Sequence, residues 1–183
     1  LSAQKTPTDQ SYDFYKSVIG SPVPATNVND SAKKTSSVED VSDLIPKLTK
    51  EGYVMKPSAE ELSQMSAADL AAVPNFVIER IGYGSVAWDG AVDVRGIDLD
   101  SVVSIEKKAV EVYHQEEESG NKPPVGTKLN RPAIITLHEV YPKSGSNATE
   151  AEKIKFEKKI EKNTSAMGAS LVLYDVDFGI WKL

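Results

Sequence analysis

The chain has 183 residues, of which 40% are apolar and 26% are charged, and its formal net charge is −6. This length suits one domain with a tail, and the acidic balance argues against general binding to a phosphate backbone, which requires a basic face. The absence of cysteine excludes disulfides and thiolate metal sites, and two histidines, His114 and His138, are too few for most zinc sites. No apolar run approaches the roughly 20 residues that span a bilayer, so we expect no membrane insertion.

Residues 1–45 are rich in Ser, Thr, Pro, Asn and Asp. Such a composition buries too little apolar surface to offset the entropy of ordering, so we predict a disordered linker. The aromatic cluster at residues 12–15 is open to two interpretations, a short docking motif or a transient contact, and the second is more common. The folded domain is predicted over residues 46–183.

The first part of the predicted domain combines a short strand with capped helices. Residues 52–55 are typical of a strand. Ser58 and Glu61 then form a capping box, in which each side chain accepts a hydrogen bond from the other residue's amide, and the helix should extend to about residue 65. Ser66 and Asp69 repeat this pattern, predicting a second helical turn that extends to Val73.

Alternating apolar residues after this point predict three strands, over residues 75–81, 85–88 and 91–94. Asp89-Gly90 is a hairpin signal between the last two. Residues 102–114 are the longest strand candidate. Because neither of their faces is purely apolar, we expect a bulge near Lys107-Lys108.

The segment over residues 121–142 begins as a stiff loop and becomes an apolar strand. Its Lys-Pro-Pro-Val-Gly motif at residues 122–126 cannot enter a helix or an inner strand, because proline fixes φ and lacks an N–H donor. Residues 133–141 predict a buried strand. Binding residues often lie on loops that a rigid scaffold holds, yet the same pattern also suits a plain connector, and both interpretations remain open here.

The last part of the chain is predicted to contain the longest helix. Thr149 and Glu152 form a third capping box, and a helix of about 17 residues should follow and end at Gly168. Phe156, Ile160 and Met167 share its predicted buried face. Five lysines between residues 153 and 162 alternate with glutamates, so this surface could attract an acidic partner, but a solvated face is the more common meaning. Two strands, over residues 169–174 and 178–183, complete the chain.

Strands outnumber helices and most strand connections are short. This pattern favours the α+β class, with an antiparallel or mixed β-sheet sandwich flanked by a few helices in a single domain.

Patterns for known catalytic and cofactor chemistry are incomplete. Gly82-Tyr83-Gly84 lacks the third glycine and the following helix of a dinucleotide fingerprint. The acidic residues at positions 93, 98 and 100 lack the spacing of a calcium loop. His138 and Glu139 are adjacent in a predicted strand and therefore face opposite sides. The sequence predicts no catalytic residue, no metal and no cofactor in this chain.

Four separated motifs occur in an order and at spacings that match one known family. They are Gly-Tyr-Gly-Ser-Val at 82–86, Lys-Pro-Pro-Val-Gly at 122–126, Leu-Asn-Arg at 129–131 and Gly-Ile-Trp-Lys-Leu at 179–183. Together they resemble the self-cleaving C-terminal domain of the GLFG-repeat nucleoporins, in its fungal form. The resemblance covers about residues 46–183 and does not extend to the linker.

This resemblance implies a β-rich fold with flanking helices at the nuclear pore complex of the nuclear envelope. It implies a docking module that anchors a phenylalanine-glycine-repeat nucleoporin and supports transport of protein and mRNA. The implied partner is the β-propeller domain of a nucleoporin on the cytoplasmic face. We expect the rim or contact residues to be Lys122, Pro123, Pro124, Val125 and Leu129, although these residues could instead only brace the loop.

Two alternative functions remain open. In cleaving members the final strand continues into His-Phe-Ser, whose serine attacks the preceding carbonyl, and the domain also binds its own C-terminal cleavage fragment. Neither His114 nor His138 matches that histidine, so we expect this chain as given not to be an enzyme, while a longer precursor could cleave itself. RNA binding is the second alternative, and the acidic balance argues against a strong electrostatic contribution to it.

Overall fold

The computed structural model describes residues 41–113 and 120–183. The described residues belong to one compact unit. Most of the predicted linker, and the acidic segment that includes His114, lie outside them. Val41, Leu44 and Ile45 pack against the core, so the folded part begins before residue 46 and includes the end of the predicted linker.

The strands of the described residues are, in chain order, β1 Tyr53–Lys56, β2 Val73–Pro74, β3 Val77–Arg80, β4 Gly84–Trp88, β5 Ala91–Val92, β6 Val103–Glu106, β7 Ala109–Val112, β8 Ala133–Leu137, β9 Leu173–Asp175 and β10 Ile180–Lys182. Six of them form one antiparallel sheet in the order β1-β3-β4-β8-β10-β9. The strands β2 and β5 form a small ribbon, and β6 and β7 form a hairpin.

The α-helices of the described residues are α1 Ala59–Ser63, α2 Ala67–Leu70, α3 Leu99–Val102 and α4 Glu150–Ala166. Short 3-10 turns lie at Ser42–Leu44 and Gly145–Asn147. The capping boxes predicted at the starts of α1, α2 and α4 are all present. The expected α+β class is therefore confirmed, with few helices and a mostly antiparallel sheet.

The main sheet carries the core on one face. Ile78, Val86 and Ile135 lie opposite one another on β3, β4 and β8, and the β6–β7 hairpin and α1 to α3 pack in the same cluster. Leu137 and Trp181 continue this face on β8 and β10, where they pack with residues of α4. The sheet thus forms one layer, and the hairpin and helices form the second.

No helix in the described part of the chain combines the length and apolar character needed to cross a membrane.

The predicted single strand over residues 102–114 is wrong. Val102 ends α3, and residues 103–112 form the β6–β7 hairpin, whose register leaves only Lys107 and Lys108 in the turn. Lys108 has a φ of +64°, so the second residue of this turn adopts the left-handed conformation. The mixed faces that suggested a bulge belong to two paired strands.

The predicted hairpin at Asp89-Gly90 is also wrong. The chain turns there, but β5 pairs with β2 and not with β4. Both edges of β4 are already occupied, by β3 on one side and β8 on the other. Residue 73, assigned to a helical turn from the sequence, forms the partner strand β2.

Smaller differences concern the ends of elements. The strand predicted over residues 133–141 ends at Leu137, and Glu139 has a φ of +55° that is incompatible with a regular strand. Helix α4 has the predicted 17 residues. Met167, predicted on its buried face, is 59% exposed, because it follows the last helical turn.

The outer strand β1 is joined to the hairpin by one hydroxyl group. The Tyr53 hydroxyl accepts a hydrogen bond from the Ile105 amide at 2.9 Å and donates to the Ile105 carbonyl at 3.1 Å. The guanidinium of Arg80 donates to the same carbonyl at 2.8 Å. These bonds satisfy the peptide groups of a fully buried residue and so connect the two layers.

We expect Tyr53→Phe to lower the free energy of unfolding by about 1–3 kcal/mol, because the buried Ile105 amide would lose its acceptor. Urea denaturation followed by circular dichroism measures this change. The control is Tyr83→Phe, which removes a tyrosine hydroxyl at the surface and should change stability by less than about 0.5 kcal/mol. Equal stability of Tyr53→Phe and the native chain would contradict the assigned role.

Candidate functional site

The loop over residues 121–132 is held in shape by its own hydrogen bonds. The Gly126 amide donates to the Asn130 carbonyl at 2.7 Å, and the Asn130 amide donates to the Thr127 carbonyl at 2.9 Å. The Thr127 amide and hydroxyl both donate to the Pro124 carbonyl, at 3.0 and 2.6 Å. The Asn130 side-chain amide donates to the Pro123 carbonyl at 2.7 Å. The loop is therefore a closed, ordered unit.

Leu129 fastens this loop to the core. Its side chain is 2% exposed. The Trp88 indole N–H on β4 donates to the Leu129 carbonyl at 2.9 Å, and the Leu129 amide donates to the Tyr113 hydroxyl at 3.3 Å. Because both peptide groups of this buried residue have partners, the base of the loop is fixed relative to the sheet and the hairpin.

The five predicted contact residues divide into two groups. Val125 is 87% exposed at the tip of the loop, Pro124 is exposed beside it, and Lys122 and Pro123 are partly exposed. Leu129 lies in the core instead, so its side chain supports the loop and does not face solvent. Four of the five positions therefore remain candidates for direct contact.

A cluster of charged side chains contacts the loop through Lys128. The Asp93 carboxylate accepts hydrogen bonds from the Arg95 guanidinium, each at 2.9 Å, and lies 3.2 Å from the Lys128 ammonium. Lys128 also donates to the Arg95 carbonyl at 2.9 Å. The hydrogen bonds from Arg95, together with Lys128, lower the pKa of Asp93 from its ordinary 3.8 to about 2. The charged pair is thus joined to the loop through Lys128.

A shallow open pocket of about 540 Å³ lies between this charge cluster and the loop. Its polar lining comes from Asp93, Thr127, Lys128 and Arg131, while Pro123 and Pro124 form an apolar side. The Arg131 guanidinium donates to the Ala91 carbonyl, which holds this cation at the rim. The pocket beside the loop therefore offers both apolar and cationic groups.

Sequence reasoning missed several residues that shape this site. Trp88, Tyr113 and Asp93 lie 41, 16 and 35 positions from their partners in the loop. One usable signal was present, because a buried tryptophan or tyrosine normally needs a hydrogen-bond partner for its polar atom. The sequence does not specify which carbonyl or amide supplies it.

Residues singled out as incomplete motifs have structural roles. A side-chain carbon at Gly84 would lie 2.2 Å from the Thr136 carbonyl oxygen, so only glycine allows β4 to approach β8 this closely. The Asp98 side chain accepts from the Asp100 amide at the start of α3. The Asp100 carboxylate in turn accepts from the Thr49 and Lys50 amides. Within residues 41–113 and 120–183, no group of three or more acidic or histidine side chains could hold a metal ion.

Leu183 and His138 lie at different places along β8. The Leu183 amide and carbonyl both bond to Ile135, at 3.0 and 2.9 Å, so the antiparallel pairing of β10 with β8 continues to this residue. Continuation of that pairing would proceed toward Ala133, away from His138. His138 is half-buried beyond the other end of β8, and burial lowers its pKa. It is not placed to serve a junction that follows Leu183.

The fold and the loop together define an α+β domain with one preorganised surface loop. The sequence matches the family described as Nucleoporin2, Nup98-96 autopeptidase S59, over residues 50–183. The chain belongs to this family. It is 34% identical over 153 residues to Nup98-Nup96 of Dictyostelium discoideum, covering 81% of this chain and 7% of that protein. It is 37% identical over 150 residues to NUP98A of Arabidopsis thaliana, covering 78% of this chain and 14% of that protein.

Solved structures with the same fold come from the same family. The autoproteolytic domain of Chaetomium thermophilum Nup145N, fused to the N-terminal part of Nup145C, superposes with a TM-score of 0.64 at 28% identity, covering 71% of this chain and 90% of that one. A chain of the yeast heterotrimeric Nup82-Nup159-Nup116 complex gives 0.61 at 29% identity, covering 73% and 94%. The curated relatives are named nuclear pore complex proteins, and this chain is accordingly a nucleoporin domain of that complex.

We expect Asp93→Asn to destabilise the chain by about 1–2 kcal/mol at neutral pH, because the pairing with Arg95 and Lys128 would be lost. The folded-state pKa of about 2 lies below the ordinary 3.8, so this stabilisation is present above about pH 4 and is lost as pH falls toward 2. Urea unfolding at neutral pH and at about pH 3 should show the native and variant curves converging in acid.

Asp89→Asn is the matched control, since Asp89 is an exposed aspartate in the turn after β4. It should leave stability unchanged within about 0.5 kcal/mol at both pH values. A difference between the native chain and Asp93→Asn that stays constant with pH would contradict the assigned charge pairing.

Proposed function

We propose that this chain is a docking module that joins a phenylalanine-glycine-repeat nucleoporin to a β-propeller nucleoporin of the cytoplasmic face. In this role it supports transport of protein and mRNA through the pore. The loop over residues 121–132 carries the proposal, because it is closed by its own hydrogen bonds and yet exposes 87% of Val125. A segment already ordered before binding loses little conformational entropy when it docks.

The chemistry of the loop suggests how it engages a partner. An isolated apolar side chain at a rigid tip can enter a pocket as an anchor, and such desolvated anchors dominate binding energies. Pro123, Pro124 and Arg131 line the pocket beside the loop, so a partner that docks at Val125 would also meet an apolar side and a cationic side chain. Family membership and the neighbour seen within a heterotrimeric nucleoporin complex agree with a docking role.

The test uses the full 183-residue chain and the β-propeller domain of a nucleoporin from the same organism, with affinity measured by isothermal titration calorimetry. We expect Val125→Ala to weaken binding about tenfold, and the double variant with Lys122→Ala to weaken it further. Thermal unfolding should be nearly unchanged by Val125→Ala, because this side chain makes few contacts within the chain. Unchanged affinity of the double variant would exclude the loop as the docking site.

A matched control separates the loop from exposed valines in general. Val172 is also exposed, and it precedes β9 at the far edge of the sheet. Val172→Ala should leave the affinity for the propeller unaltered. Asn130→Ala removes the side-chain bond to Pro123 without removing any proposed contact, so it should reduce affinity through loss of loop order alone.

A second candidate function is self-cleavage of a longer precursor, followed by binding of the released C-terminal fragment. Two observations favour it, namely membership in an autopeptidase family and the pairing of Leu183 with Ile135. Residues added after Leu183 would begin beside β8, where the scissile bond would be held in an extended conformation. In this scheme a serine hydroxyl attacks the preceding carbonyl carbon while a histidine from the added segment takes its proton. The peptide C–N bond breaks, the histidine returns the proton to the departing amine, and water hydrolyses the resulting ester to separate the two segments.

We expect a chain extended through a His-Phe-Ser sequence after Leu183 to lose the added segment during expression, as seen by intact mass spectrometry. Replacement of that serine by alanine should preserve the full mass, since the nucleophile would be missing. His138→Ala in the same extended chain should leave cleavage unaffected, because His138 lies at the opposite end of β8. Full mass of the unaltered extended chain would remove self-cleavage from consideration.

A further inference from the structure

Helix α4 separates charges that alternate in the sequence. A helix turns by about 100° per residue, so Lys155, Lys158, Lys159 and Lys162 fall within an arc of about 100° on its surface. Glu150, Glu157 and Glu161 fall within a neighbouring arc of about 40°. The remaining helical glutamate, Glu152, is held in the capping box with Thr149. The solvated mixture expected from the sequence is therefore two parallel stripes of opposite charge.

The lysine stripe is solvent-facing and has no partner in the described part of the chain. All four lysines are exposed, and none of them makes an ion pair or a side-chain hydrogen bond with a described residue. Lys153 differs, because it lies on the packed side of α4 and pairs with Asp177 at 2.6 Å. Lysines spaced by three or four residues repel one another on a helix, so their alignment on one face is itself unfavourable.

Apolar contact area lies at the border of the stripe. Ile154 is 47% exposed, one helical turn before Lys158, between the lysine and glutamate stripes. Ala151 is exposed one turn earlier, within the angular range of the lysine stripe. The surface thus offers two small apolar contacts next to a row of cations, which one face of a partner helix can match.

We propose that the outer face of α4 is an interaction surface for an acidic helix of a partner protein. Four carboxylates of this partner helix, at positions i, i+3, i+4 and i+7, would meet the four lysines, with an apolar residue against Ile154. Charge complementarity supports an acidic helix as the partner. Negative charges are attracted by the lysine stripe and repelled by the adjacent glutamate stripe, so only one row of the helix surface favours them.

Nucleic acid and membrane fit this surface less well. The lysine row is only about 10 Å long, and the glutamate stripe beside it would repel the dense phosphate charge of a longer strand. The row contains no aromatic side chain on which a base could stack. One exposed isoleucine is too little apolar surface for insertion into a bilayer interface.

The test compares two synthetic helical peptides of about 20 residues with identical composition. One carries four glutamates on a single face, and its isomer distributes them around the helix. Fluorescence anisotropy with the 183-residue chain at low salt should show about tenfold tighter binding of the first peptide, with the preference reduced at about 200 mM salt. The K155Q/K158Q/K159Q/K162Q variant should lose this preference.

The matched control is the E150Q/E157Q/E161Q variant, which removes the other stripe and should bind the first peptide at least as tightly as the native chain. Glutamine, lysine and glutamate have similar helix propensities, so both variants should keep the native circular dichroism spectrum. Val125→Ala should not alter peptide binding, which separates this surface from the docking loop. Equal binding of the two peptides, or tighter binding of an oligouridylate than of the first peptide, would overturn the proposal.

Discussion

The hydrogen bonds to the Leu129 peptide are the constraint on which the placement of the candidate site depends. The donor to its carbonyl, Trp88, belongs to the main sheet, and the acceptor of its amide, Tyr113, follows the β6–β7 hairpin. Both layers of the fold therefore converge on one buried residue. Since Val125 lies four residues earlier in a closed loop, its position is determined by the core and not by the loop alone. A substitution that alters the packing between the two layers would therefore move the loop even if the substituted residue does not contact the loop.

Local interactions were predictable from the sequence because both partners are visible in one short window. The capping boxes at Ser58 and Thr149 each involve residues three positions apart, and both formed as expected. Strand pairing was predicted less well because it depends on competition between distant segments. The turn at Asp89-Gly90 has the composition of a hairpin, but β8 occupies the edge of β4 that a hairpin partner would need.

The same division applies to the candidate site: its local features were predictable from the sequence, and its contacts between distant residues were not. The proline-rich composition correctly indicated an irregular, surface-exposed loop at Lys122 to Val125, because it depends only on properties of these residues. The burial of Leu129 could not be inferred, since a leucine followed by Asn-Arg gives no sign that a tryptophan 41 positions away will bind its carbonyl. Likewise, Lys128 resembles any surface lysine until Asp93 is brought beneath it by the β2–β5 ribbon.

The two surfaces proposed here would act on different steps of association. An apolar anchor such as Val125 is desolvated only after docking, so it influences mainly the dissociation rate. A stripe of exposed lysines acts at a distance, within the screening length of the solution, and influences mainly the association rate of an acidic partner. The chain as a whole carries a net charge of −6, so this attraction would be confined to the outer face of α4 and would orient the partner as well as attract it. Segregation of charge on α4 therefore lets this chain, although acidic as a whole, attract an acidic partner to one defined face.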